Sequence, residues 1–121
     1  MRLATAAFLS LIATGAYAAP VGTAETAIGE VLVGENGMTL YTFANDAEGE
    51  SACYDQCAAN WPPLMAEEGA MGDDRYSVIE RSDDTYQWAV DGKPLYFWVN
   101  DKAPGDTTGD GARGVWAVAR P

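Results

Sequence analysis

Three groups of residues have types and spacings from which chemistry could be built. Cys53 and Cys57, in Cys53-Tyr-Asp-Gln-Cys57, are the only cysteines among 121 residues. Asp46 and Asp101 stand at matching points of two similar segments, and paired carboxylates can act as a hydrolase once one pKa is raised. Asp101, Asp106 and Asp110 share a glycine-rich loop that could fold round Ca²⁺, a cation that takes about six to eight oxygens. That loop lacks the spacing of an EF-hand. The chain has no histidine. This excludes Ser-His-Asp and Cys-His catalysis, imidazole metal sites and an axial histidine for haem.

The cysteine pair reads first as a disulfide, because two cysteines with none left over pair in an oxidising compartment. On one helical turn, residues i and i+4 lie close enough to be bridged, and so short a loop brings modest stabilisation. A reactive thiol prefers the C-x-x-C spacing and cationic neighbours, and no Lys or Arg lies within ten residues of either cysteine. Copper(I) could use two thiolates, but no methionine cluster adjoins them. Redox exchange and metal handling therefore stand as alternatives to a structural cystine.

Charge sets the compartment and the partners. Eighteen acidic residues face seven basic ones, for a net charge of −11. Such a chain is a poor binder of nucleic acid, whose phosphates are met by Lys and Arg. The start Met1-Arg2-Leu3, the apolar run 4–13 and the triplet Ala16-Tyr17-Ala18 predict a secretory signal peptide, cleaved after Ala18. The run is far shorter than the ~20 residues that span a bilayer. Residues 19–121 are thus expected to be one soluble periplasmic or secreted domain, with no transmembrane segment and no lipid anchor.

An internal repeat must position the candidate residues. Residues 36–46 (N-G-M-T-L-Y-T-F-A-N-D) and 91–101 (D-G-K-P-L-Y-F-W-V-N-D) match at an offset of 55, and the same offset pairs Trp61 with Trp116. The copies span about 29–64 and 84–121. Asn36-Gly37 and Asp91-Gly92 are hairpin turn signals. Strands are expected at Val31-Leu32-Val33, 39–43, 76–80, 86–90, 95–98 and 115–119, with a short helix near 51–60 that Pro62-Pro63 ends. The expected fold is mainly β: a small domain of two pseudo-symmetric hairpin repeats, sandwich or barrel-like. Alternation puts Tyr41 and Phe43 on one face and Leu40 and Thr42 on the other. In the second copy Tyr96 and Trp98 oppose Leu95 and Phe97. These aromatic faces are either core or a ligand-stacking surface.

The segments L-Y-T-F-A-N-D, C-Y-D-Q-C-A-A-N-W-P-P-L and G-K-P-L-Y-F-W-V-N-D-K-A-P-G-D resemble the bacterial secreted-repeat family, described as predicted lipoproteins with a Y-x-[FWY]-x-x-D motif. Tyr41, Phe43 and Asp46 fill that motif in one copy, and Tyr96, Trp98 and Asp101 fill it in the other. The resemblance implies an envelope location and this architecture, and names no activity. A lipidation cysteine is absent at the cleavage zone. The expected function is a non-catalytic, cofactor-free envelope module that binds a protein or a small ligand through its loops or aromatic face. The alternatives are a redox or metal-handling accessory using Cys53/Cys57 or the acidic loops, and a hydrolase using Asp46 and Asp101.

Overall fold

The computed structural model describes residues 19–121, so the expected signal peptide lies outside the described residues. In chain order the elements are β1 (Val21–Thr26), β2 (Gly29–Gly34), β3 (Tyr41–Phe43), helix α1 (Gln56–Asn60), β4 (Met65–Ala66), β5 (Tyr76–Glu80), β6 (Tyr86–Val90), β7 (Lys93–Pro94) and β8 (Trp116–Val118). A 3₁₀ turn, Ala112–Gly114, precedes β8.

Each copy begins with an antiparallel hairpin, β1–β2 in the first and β5–β6 in the second. Their apolar residues are the buried ones: Val31, Leu32 and Val33 in β2, Trp88, Ala89 and Val90 in β6. The turn signals act through backbone conformation. Asp91 and Gly92 both adopt positive φ, 51° and 82°, which a two-residue hairpin turn with the right twist requires. In the first copy Gly37 (φ 80°) closes the turn while the Asn36 side chain accepts a bond from the Met38 N–H at 3.0 Å.

The two copies exchange their closing segments. β8, which ends the second copy, pairs with β3 of the first, Tyr41 opposite Val118 and Phe43 opposite Trp116. Reciprocally, Pro63 of the first copy bridges Tyr96 of the second. The main-chain bonds repeat the exchange. Leu64 N–H donates to the Leu95 carbonyl (2.9 Å) as Ala119 N–H does to that of Leu40 (2.8 Å). At the centre, Tyr41 and Tyr96 exchange backbone bonds of 2.8 and 3.0 Å. Neither copy therefore holds a complete sheet of its own.

The fold is mainly β, built from antiparallel sheets and two repeats, and it closes no barrel. Three details depart from expectation. β1 had no distinct signal, because only part of it is sheltered. The segment 95–98 is no regular strand beyond its bridges, since it turns to follow the exchanged chain. The helix is confined to 56–60. Ser51 and Cys53 are buried in tertiary contacts and Asp55 sits at φ 56°, which no helix accommodates. The alternating residues divide between two clusters. Tyr41, Tyr96, Trp61 and Trp116 lie in one, and Leu40, Leu95, Leu32 and Trp88 in the other.

Candidate functional site: crossed clasps and an aromatic groove

The motif residues meet crosswise. The Tyr41 hydroxyl donates to Asp101 Oδ2 at 2.6 Å, and the Tyr96 hydroxyl donates to Asp46 Oδ2 at 2.7 Å. Each tyrosine thus reaches the aspartate of the other copy. The second carboxylate oxygens tie down the loops that follow: Asp101 Oδ1 accepts from the Thr108 N–H (3.0 Å) and hydroxyl (2.6 Å), and Asp46 Oδ1 from the Ala52 N–H (2.7 Å). Burial, the largest cause, raises the pKa of both phenols well above the ordinary tyrosine value, and they remain hydrogen-bond donors.

The two clasps differ in their surroundings. Tyr41 Oη also accepts from the Gly109 N–H at 3.2 Å. Tyr96 Oη lies 2.7 Å from Ser51 Oγ, which accepts from Arg81 Nη1 at 3.1 Å. Arg81, only 3% exposed, further donates to Gln87 Oε1 (2.7 Å) and the Cys53 carbonyl (2.6 Å), and lies over the Tyr54 ring. Sequence spacing missed this cation beside the cysteine segment, because it arrives from the loop after β5. A single buried arginine carries no pattern of its own.

Burial is the strongest influence on Asp46 and raises its carboxyl above the usual range, against the bonds from Tyr96 and Ala52 and the charge of Arg81. The folded protein therefore takes up this proton at a higher pH than the unfolded chain. The resulting stability is fully present below the unfolded pKa and is lost as pH rises through the folded one. Asp46→Asn should therefore improve relative to wild type as pH rises through the carboxylate range. Urea midpoints from about pH 3 to 7 check this, and a constant difference would contradict it.

Four aromatic rings stack in one row across the junction of the copies. Trp98 lies 4.0 Å from Trp61, Trp61 3.8 Å from Trp116, and Trp116 4.2 Å from Phe43, all near parallel. The order is symmetric under the repeat, with Trp61 and Trp116 inside and Trp98 and Phe43 at the ends. Tyr41 and Tyr96 meet Trp61 and Trp116 edge-on at 5.3 and 5.1 Å. Gly109 lets the main chain reach this row, since a Cβ there would sit 2.7 Å from Trp61 Cη2 and 3.0 Å from Trp98 Cδ1.

Above the row lies a groove of about 430 Å³, within the roughly 300–1,000 Å³ typical of small-ligand sites. The four stacked rings line it together with the Cys57 end of the disulfide, and Asn45, Gln56, Asn60 and Arg113 are exposed at its rim. A second recess of about 490 Å³, on the other side of Phe43, is lined by Asp46, Glu48, Asp91 and Lys93 among others. It is acidic where the aromatic groove has no carboxylate.

Cys53 and Cys57 form a disulfide with Cα atoms 5.2 Å apart. Cys53 precedes α1, so the bridge joins an extended segment to the helix and does not span one helical turn. The aspartates considered for Ca²⁺ are engaged separately. Asp101 serves the clasp, Asp106 Oδ2 accepts from the Lys102 and Ala103 N–H groups, and Asp110 Oδ1 accepts from that of Val118. Among the described residues no three or more His, Cys, Asp or Glu side chains gather in a metal-binding group. Nor, among those residues, is any helix long and apolar enough to cross a membrane.

A family described as a secreted repeat of unknown function matches the chain twice, over residues 22–65 and 77–120. Both limits differ by the offset of 55, and the matched units take in β1 and β5. No curated protein and no solved structure matches the chain.

Proposed function

The chain belongs to the family of secreted repeats of unknown function, and on that premise we propose that it is a non-catalytic extracytoplasmic module binding a small ligand in its aromatic groove. The observation that carries this reading is the division of labour between motif and groove. Tyr41, Asp101, Tyr96 and Asp46 are spent on one another and on loop N–H groups. The groove, by contrast, offers unspent surface at the junction of the copies. A carboxylate pair doing acid–base work would need access to substrate, and the buried Asp101 is held by three bonds.

Native mass spectrometry of the full chain purified from the extracytoplasmic compartment tests the reading. The wild type should carry a non-covalent ligand mass that Trp98→Ala lacks. Trp98 is half-buried at the end of the row, so the variant should stay folded at a cost of about 2 kcal/mol. A wild-type spectrum of the bare chain would contradict the reading.

A further inference from the structure

The groove differs chemically from the rest of the surface. Eighteen of 121 residues are acidic, yet none of those lining the groove is Asp or Glu, and its one charged member is Arg113. Arg113 makes no ion pair and no side-chain hydrogen bond among the described residues, whereas Arg75 pairs with Asp91 and Arg120 binds backbone carbonyls. Its backbone is also unusual. Arg113 holds φ 53° and ψ 15°, a left-handed conformation, and among the described residues the other non-glycine positions with positive φ are Asp55, Asp84 and Asp91. Aspartate tolerates that region through its short side chain, and arginine has no such compensation. Its equivalent in the first copy is Ala58, inside α1. The second copy has no disulfide at this place and a 3₁₀ turn where the first has α1, and it sets a free guanidinium at the mouth of the groove.

The floor narrows the ligand further. Both faces of Trp61 are covered by Trp98 and Trp116, and both faces of Trp116 by Trp61 and Phe43. What these central rings offer a ligand is their edges. Aromatic edges carry the positive part of the ring quadrupole and pair with the electron-rich face of another ring or with an anion. A saccharide, which stacks its C–H groups on open ring faces, finds none on these two residues.

Resting on the binding reading above, we propose that the groove takes a planar aromatic carboxylate. Its ring face lies on the edges of Trp61 and Trp116, and its carboxylate pairs with Arg113. The rim amides of Asn45, Gln56 and Asn60 supply further polar contacts.

The test uses the four tryptophan indole N–H signals of the ¹⁵N-labelled protein, titrated with 2-naphthoate, 2-naphthalenemethanol and maltotriose. Trp88, buried in the other cluster, is the internal control. Naphthoate should shift the signals of Trp61, Trp98 and Trp116 saturably and leave that of Trp88 in place. In Arg113→Gly, whose backbone suits φ 53°, the melting temperature should hold or rise while the Kd for naphthoate rises about tenfold, the worth of one charged hydrogen bond. Equal affinity for the neutral alcohol, or an unchanged Kd in Arg113→Gly, overturns the proposal and leaves the groove as a binding site. Shifts with maltotriose alone overturn the ligand class. No shift with naphthoate also overturns it, while a ligand mass in the native spectrum would still support the binding reading.

Discussion

Trp61→Ala should cost about 3–5 kcal/mol, the usual range for deleting a buried large aromatic. Trp61 is 5% exposed and lies inside the stacked row. It stacks between Trp98 and Trp116, takes the edge of Tyr41, and fills the space that Gly109 leaves open. Its loss would leave a void between the copies, where the exchanged chains cannot collapse without breaking their own hydrogen bonds. For a domain with about 5–15 kcal/mol of stability this is a large fraction. At about 4–8 °C per kcal/mol in a chain of this size, the melting temperature should fall by ~12–40 °C. Trp116→Ala should behave alike, because the repeat places Trp116 (4% exposed) in the equivalent position. Urea denaturation with an unchanged m value measures both, and a cost below about 1 kcal/mol for either would show that the row is not the core of the junction.

Asp101→Asn should cost about 2–3 kcal/mol, and Asp46→Asn about 1 kcal/mol or less at neutral pH. Asp101 receives donors on both oxygens, so an amide nitrogen on either side faces another donor. Placed toward Tyr41, it turns away a phenolic proton whose other neighbour, the Gly109 N–H, is also a donor. The Tyr96 hydroxyl has Ser51 Oγ at 2.7 Å as a second oxygen, and Asp46 sheds the penalty of a buried charge. Two positions of one motif should thus respond unequally, because Tyr96 has a second oxygen beside it and Tyr41 a second donor. Equal costs would contradict this account of the clasps.

Much of the scaffold was legible because it depends on short-range patterns. The 55-residue offset, the Asn-Gly and Asp-Gly turns and the β-prone segments 76–80 and 86–90 correspond to β5, β6 and the hairpin turns at the observed places. The aromatic residues at motif positions were also visible, and the fold brings Phe43, Trp61, Trp98 and Trp116 into one row. The exchange of closing segments was not legible. A repeat shows which residues are equivalent, and is silent on whether Tyr41 meets the aspartate of its own copy or of the other. That choice is made by the tertiary pairing of β3 with β8. Arg81 and Arg113 were missed for a related reason, since each matters through where a loop delivers it. The helix is shorter than propensity suggests because Tyr96, Asp46 and Arg81 hold the Ser51 hydroxyl, the Ala52 N–H and the Cys53 carbonyl in tertiary bonds.

The central claim is that the two copies hold one another crosswise through Tyr41–Asp101 and Tyr96–Asp46. A pair of double-mutant cycles tests it most directly, by equilibrium urea unfolding of Tyr41→Phe combined with Asp101→Asn, and of Tyr41→Phe combined with Asp46→Asn. The account predicts a coupling of about 1–2 kcal/mol for Tyr41 with Asp101 and no more than about 0.5 kcal/mol for Tyr41 with Asp46. A larger coupling within the copy than across the copies would contradict it.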